Sequence, residues 1–505
     1  MDAHEVEVLI LGAGVCGVAA GIGLLQAGVD DFVIVERAES VGGTWHFNTY
    51  PGCAVDIPSH VYCFSYALNP NWSRVYGTRA ELEQYIGKVV DDFGVRNKVR
   101  LNTEVLDARW DSDDRRWHVE TNRGAYRTRF FVIAPGPLHE PNVPDLPGRD
   151  TFEGQAFHSS RWPVDVDLTG REVVAIGTGA SAIQFVPAVQ SQVKKLTLLQ
   201  RTPAWVFPKP DWDISERSKR ALARFPVLMR LIRFGTWLFL DAFTTAALRS
   251  PRFARAVSVL GRLHIRWRIK DAAMRKALTP RYAVACKRLG FSNDYYPALA
   301  QPNIELVTSP AVEVRERSVI TADGREIPAD TIIYGTGFHT MQHHPIAERV
   351  RGRSGETLAE VWKGDPKAHM GTTINGFPNA FMMFGPNVGT LSGFTMAEAQ
   401  SHYVVGAIRA ANRVRAAALD VTAQAQAKFV AETDKTLAKS TMLRGGCNSY
   451  YLADGNRRVS LAWPGTMYSL TRRLRQFDVA SYEVIGGEEA HSWEFAGTKT
   501  GDGGK

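Results

Sequence analysis

The sequence predicts an α/β protein with two Rossmann-like dinucleotide-binding domains and a helical insertion in the second of them. Three observations lead there. A glycine loop at Gly12 to Gly17 is framed by an apolar strand and a helical pattern, a second such loop stands at Gly177 to Ala182, and arginine-studded helical sequence runs from about 214 to 279. The length of 505 residues allows roughly three domains at about 150 residues each. Hydrophobic residues at 45% and charged residues at 22% are ordinary globular usage, which excludes a disordered or fibrous chain.

Each element has a local reason. EVEVLILGAG is a short apolar strand, VCGVAAGIGLLQAGV repeats its apolar residues at helical spacing, and DFVIVE is a second apolar run, so the three form a strand-helix-strand unit. Next, PLHEPNVPDLPG carries Pro137, Pro141, Pro144 and Pro147, so it can be neither helix nor inner strand and reads as an interdomain connector. A second strand-helix-strand unit follows at REVVAIGTGASAIQFVPAVQSQVKKLTLLQR. Helical sequence interrupted by Pro226 and Pro251 comes after it. Strand-like runs return from Asn303 to Phe338 with a turn at Asp323-Gly324, and one long helical stretch is expected from Thr395 to Lys439. The tail GTKTGDGGK is expected to be disordered. The breaks divide the chain into 1–145 with 341–505, 146–213 with 280–340, and the insertion 214–279.

Charge is concentrated. The net charge is +8, yet residues 217–276 hold 15 Lys/Arg against Asp241 and Asp271, a local +13 that leaves the remainder at −5. Nucleic acid is not expected as a partner; for 217–276 the first reading is solvated faces over a buried apolar stripe, and weak contact with a membrane surface is the second. The apolar part of this segment is broken by Arg230, Arg233 and Asp241, so no membrane crossing is expected. The five cysteines contain no C-x-x-C pair, which argues against a metal site, a redox dithiol or a disulfide scaffold. With an acidic N-terminus and no export signal, this points to a reducing, cytoplasmic location.

The loops carry the chemistry. Gly12 serves the tight turn, Gly14 lets the backbone approach a pyrophosphate, and Gly17 permits close helix-strand packing. Glu36, 24 residues after Gly12, ends the next strand where a carboxylate accepts both ribose hydroxyls. In the second loop, Gly177, Thr178, Gly179, Ser181 and Ala182, the same count reaches Arg201 instead. An acid there would repel a 2'-phosphate and a guanidinium binds it, so the second nucleotide is NADP. An unphosphorylated ribose site beside a 2'-phosphate site suggests FAD plus NADPH. The missing cysteine pair removes a dithiol reductase and leaves an oxygenase.

Phe152-Glu153-Gly154-Gln155-Ala156-Phe157-His158-Ser159-Ser160-Arg161-Trp162-Pro163 fits F-x-G-x-x-x-H-x-x-x-W-P. Gly42-Gly43-Thr44-Trp45, Tyr50-Pro51-Gly52 and Asp56 fit G-G-x-W-x-x-x-x-Y-P-G-x-x-x-D. Together they resemble the type I Baeyer-Villiger monooxygenases. Further matches at Arg201-Thr202-Pro203, Cys286-Lys287-Arg288, Gly335-Thr336-Gly337-Phe338 and Gly385-Pro386-Asn387 extend the likeness over nearly the whole chain. Tyr450 departs from it, standing where tryptophan is common.

The resemblance implies an FAD- and NADPH-dependent enzyme that inserts one oxygen atom of O2 beside a ketone or aldehyde carbonyl, through a C4a-peroxyflavin. The alternative is a flavin monooxygenase acting on sulfur or nitrogen. Arg288 is implied to hold the anionic oxygen and Asp56 to orient it. Gly43, Thr44, Trp45, Tyr62 and Asn387 are implied in cofactor binding, with Thr202 and Lys287 beside Arg201 at the 2'-phosphate. Phe152, Gly154, His158 and Trp162 are implied as a linker that couples cofactor binding to domain position. No metal is expected.

Overall fold

The computed structural model describes residues 3–389, 391–456 and 458–486. Its centre is the parallel pairing of strand His4–Leu11 with Phe32–Val35 on one side and Gly124–Ile133 on the other. Ile10 lies opposite Ile34 and Val132, and Val8, Leu9 and Ile10 are fully buried, as an apolar run covered on both sheet faces must be. Antiparallel strands Val105–Asp111 and Arg116–Thr121 extend this sheet beyond Gly124–Ile133. The short strands Val350–Arg351 and Ala380–Met382 join it from much later in the chain.

The second sheet has five parallel strands in the order Ile304–Val307, Lys195–Leu199, Glu172–Ile176, Thr331–Tyr334 and Gln155–His158. Each sheet carries its glycine loop at the C-terminal end of a central strand, followed by helices Val15–Gln26 and Ala180–Val189. A Cβ on Gly17 would lie 1.8 Å from the Gly12 carbonyl oxygen, so this helix rests directly on its strand. The fold class thus agrees with the expectation. The proline-rich connector contributes only an isolated bridge, Pro141 with Phe338.

The insertion is helical, with helices Glu216–Arg224, Pro226–Arg249, Pro251–Arg268 and Ala272–Leu278. Pro226 and Pro251 open helices rather than break them, because the first helical position needs no N–H donor. The hydroxyl of Ser250 caps the latter by accepting from Phe253 N at 3.2 Å.

Two expectations fail. The stretch Thr395 to Lys439 is two helices, Gly393–Arg413 and Ala423–Leu437, separated by strand Ala418–Val421. Arg415 at φ 49° ends helical geometry, and the strand pairs antiparallel with Tyr482–Ile485, a partner too distant for periodicity to show. Secondly, Cys286 and Cys447 form a disulfide across 161 residues, a separation outside any local spacing rule. The reducing-compartment reading loses the cysteine argument it used. Cys16, Cys53 and Cys63 are buried thiols. The tail GTKTGDGGK lies outside the described residues.

Candidate active site

The two glycine loops face one cleft of about 1240 Å³ whose walls come from both sheets, segment 287–290 and the loop around Tyr450. Helices Val15–Gln26 and Ala180–Val189 begin with Gly14 and Gly179 as caps and no side-chain cap bond. Their first-turn N–H groups lack intrahelical partners, and an anion is the natural complement. Gly12 at φ 96° could not carry a side chain, since a Cβ would meet the Ala134 carbonyl oxygen at 2.4 Å. Gly14 approaches Gly43 so closely that only backbone forms the floor between the first loop and the GGTW turn. The cleft therefore has the cradles that two dinucleotides require.

Glu36 is buried at the cleft edge and accepts from Ala13 N at 2.7 Å and Ala38 N at 2.9 Å. Burial pushes its carboxyl above the usual range despite those two donors. Gly43, Thr44, Trp45 and Tyr62 also line the cleft, with the Trp45 and Tyr62 rings edge-on at 5.5 Å. At the other loop, Thr178 donates to Thr202 O at 2.9 Å and fixes the segment that bears Arg201. Burial, then the neighbouring Arg201 guanidinium, draws the Lys287 pKa down, so two cations share one wall and an anion would relieve both.

Arg288 and Asp56 meet in a two-pronged ion pair, Nε to Oδ2 at 2.7 Å and Nη2 to Oδ1 at 2.6 Å. Burial opposes ionisation of Asp56, and Arg288 outweighs it, holding the carboxyl below its usual range. The carboxylate in turn holds the guanidinium charged. Lys209, seated over the Tyr76 ring at 4.9 Å, adds a further pull on Asp56. Tyr450 lines the cleft beside Arg288, its hydroxyl donating to that of Tyr451 at 3.1 Å.

Some expected residues are not at the cleft wall. Asn387 is fully buried, donates to Val459 O at 2.8 Å, and its oxygen accepts from Arg458, so its polar atoms are spent on holding the C-terminal loops. Gly17 and Ala182 pack behind the loops. His158 is buried in the edge strand, its Nδ1 accepting from Ser160 N at 3.1 Å and its ring edge-on to Phe338 at 5.4 Å. Burial lowers its pKa to about 4, so it is neutral near pH 7. Trp162 packs on Phe157 and Phe185, and Phe152 closes over Gly154, where a Cβ would strike the ring at 2.7 Å. None of Phe152, Gly154, His158 and Trp162 lines the cleft.

Sequence reasoning missed Gln184. It accepts from the Tyr50 hydroxyl at 3.0 Å and donates to Ala54 O at 2.8 Å, tying the second loop's helix to the motif that carries Asp56. The available signal was a lone amide in the apolar helix ASAIQFVPAV. It also missed His139 and His344, buried rings 5.2 Å apart on the cleft wall, which no motif marks. No group of three potential metal ligands occurs among the described residues.

Residues 9–226 match the pyridine nucleotide-disulphide oxidoreductase family, which covers the first glycine loop and the second. A Baeyer-Villiger monooxygenase of Streptomyces coelicolor is 44% identical over 487 residues, covering 95% of this chain and 93% of that protein. One from Pseudomonas aeruginosa is 39% identical over 95% of this chain and 92% of its own length. Among solved structures, OTEMO in complex with FAD and NADP superposes with a TM-score of 0.86 at 27% identity, covering 96% of this chain and all of that one. Cyclohexanone monooxygenase from Rhodococcus sp. Phi1 bound to NADP+ gives 0.85 at 26% identity with the same coverage. With the paired glycine loops, both signatures and this full-length likeness in agreement, the chain belongs to the Baeyer-Villiger monooxygenase family.

Proposed function

We propose that this chain binds FAD and NADPH and converts a ketone or aldehyde, O2, NADPH and a proton into an ester or lactone, NADP+ and water. The observation that carries the reading is the Arg288–Asp56 pair on the wall of a cleft shared by both glycine loops. In this reading residues 1–145 and 341–505 hold FAD, while 146–213 and 280–340 hold NADP.

The first-turn N–H groups after Gly14 bind the FAD pyrophosphate and Glu36 its ribose. Gly177, Thr178, Gly179 and Ser181 take the NADP pyrophosphate, with Arg201, Thr202 and Lys287 at the 2'-phosphate. The bound flavin supplies hydride acceptance and the activation of O2. Arg288, cationic at any working pH, stabilises negative charge on the attacking oxygen and on the tetrahedral oxyanion of the substrate. Asp56 fixes the plane of the guanidinium. Trp45, Tyr62 and Tyr450 keep water from the reacting atoms. The names of the solved relatives make cyclohexanone a sensible first substrate.

The test supplies FAD-loaded protein with NADPH and 18O2 and a panel of cyclic, linear and aromatic ketones plus one aryl sulfide. Ester or lactone with one labelled oxygen, formed in step with NADPH consumption, supports the reading. NADPH consumption that yields only hydrogen peroxide overturns it, and sulfoxide without ester transfers it to sulfur oxygenation.

A further inference from the structure

The helix Pro226–Arg249 is long and apolar enough to cross a membrane, yet only 17% of its most apolar window is buried. A helix of that composition in a water-soluble body normally turns its apolar stripe to the core. Here the opposite holds. At about 100° per residue, Val227, Leu231, Ile232, Phe234, Leu238 and Phe239 fall in one arc of about 160°. All six are exposed, Leu231 to 62% and Phe239 to 66%.

The other side is fastened to the protein. Arg233 donates to the carbonyls of His60 at 3.0 Å, Val61 at 3.1 Å and Cys63 at 3.0 Å. Asp241 accepts from Met467 N at 2.8 Å, and the Trp237 indole donates to the Met467 sulfur at 3.2 Å. Arg233 and Asp241, two of the three polar residues that interrupt the apolar sequence, are thus anchors of the inner face, while Arg230 is exposed. The helix lies along the molecule and cannot span a bilayer while so held.

The next helix, Pro251–Arg268, repeats the pattern. Val259, Leu260, Leu263 and Trp267 are exposed, Trp267 to 73%, and alternate with exposed Arg255, Arg262 and Arg266. Among the described residues the ion pair of segment 217–276 is Lys219 with Glu216, so these arginines meet no carboxylate. Apolar area and cations without carboxylate partners occupy the same helical hairpin, which carries +7 over residues 226–268 inside a segment, 217–276, of +13.

We propose that this hairpin docks the enzyme on the surface of an anionic phospholipid bilayer, with the apolar arc in the acyl-headgroup boundary and the arginines on lipid phosphates. Charge complementarity selects this occupant. A second copy would bring +7 against +7, and nucleic acid would leave the apolar arc uncovered. An anionic bilayer satisfies both halves of the surface.

The test is co-flotation of the FAD-loaded holoenzyme with vesicles of phosphatidylcholine alone or with phosphatidylglycerol added, at low and high salt. Binding to the phosphatidylglycerol vesicles, weakened by salt and absent with phosphatidylcholine alone, is expected. Leu231→Glu with Leu238→Glu should weaken it roughly tenfold or more while flavin content stays at the native level. Arg262→Glu with Arg266→Glu should remove the salt-sensitive part. Failure to float with anionic vesicles at low salt, flotation untouched by both double substitutions, or a dimer that the leucine substitutions dissociate would each overturn the proposal.

Discussion

Arg288 reaches across 232 residues of sequence to close a two-pronged pair with Asp56, joining the segment after the helical insertion to the loop after the GGTW turn. Both residues line the cleft from segments far apart in sequence. Their contact therefore forms only when both segments are in place, which makes the orientation of the guanidinium conditional on the assembled site.

Arg288→Ala should lower ester formation by about 10²–10³ while NADPH still reduces the flavin, because it removes a charge that matters only when oxygen becomes anionic. Product per NADPH separates this from a folding defect. Asp56→Asn should do less damage and Asp56→Glu should restore part of it, with the pH profile of oxygenation moved only in the asparagine form. Equal loss of flavin reduction in Arg288→Ala would contradict the assignment.

Arg201 and Lys287 line the same cleft, and burial together with the Arg201 guanidinium makes the Lys287 charge harder to hold. A dianionic 2'-phosphate offsets that repulsion. Arg201→Glu should raise the KM for NADPH about 100-fold and leave that for NADH nearly unchanged, since about 2.7 kcal/mol of charge-assisted binding is lost only for the phosphorylated ribose. Steady-state kinetics with both nucleotides decides it.

Gly14 and Gly17 sit three residues apart and should fail differently. A Cβ at Gly14 meets Gly43 Cα at 3.5 Å, an ordinary contact, so Gly14→Ala should fold but hold flavin poorly because the methyl fills the pyrophosphate approach. At Gly17 the 1.8 Å clash is with backbone, so Gly17→Ala should yield little soluble protein. Flavin absorbance per folded protein and expression yield distinguish the two.

The parts legible in the sequence are those specified by local geometry. Gly12 and Gly177 answer to a turn at positive φ that glycine makes without strain, Gly14 to a close backbone approach, and Pro226 and Pro251 to a backbone that begins a helix. Arg201 could be found by counting because strand and helix lengths fix where the next strand ends. What stayed hidden depends on distant pairing. The strand Ala418–Val421 exists through Tyr482–Ile485, the Cys286–Cys447 bond through a fold that places both beside the cleft, and the role of Gln184 through Tyr50. Asn387 shows the converse, for a motif position fits the pattern while its amide is spent on Val459 and Arg458.

Buried histidines set the acid limit of stability. Burial lowers His158 and His344 to about 4 and His139 to about 2. Between the ordinary value near 6.5 and those values the unfolded chain binds protons that the folded one does not, so their contribution is full above about pH 6.5 and falls as pH drops toward 4. Asp420, raised to about 6 by burial, acts in the opposite sense over part of that range. His344→Gln should therefore show a smaller Tm loss between pH 7 and 5 than the parent. An unchanged acid limb would remove His344 from this account.

The disulfide bears on the site as well as on stability, because Cys286 precedes Lys287 and Arg288 while Cys447 stands three residues before Tyr450. It fixes the cation-bearing segment to the loop that carries Tyr450. A crosslink over 161 residues restricts the unfolded chain strongly, by about 2–5 kcal/mol in typical cases, so Cys447→Ser should lower Tm by about 5 °C or more. Reductant should do the same to the parent and nothing further to the variant. Freed from Cys286, the Tyr450 loop should close less well, raising the KM for ketone and the share of NADPH lost to hydrogen peroxide. If reductant leaves Tm, KM and coupling unchanged in the parent, the bond does not hold these two segments together, and other contacts between them, such as that of Ala283 N with Gly445 O at 2.9 Å, suffice.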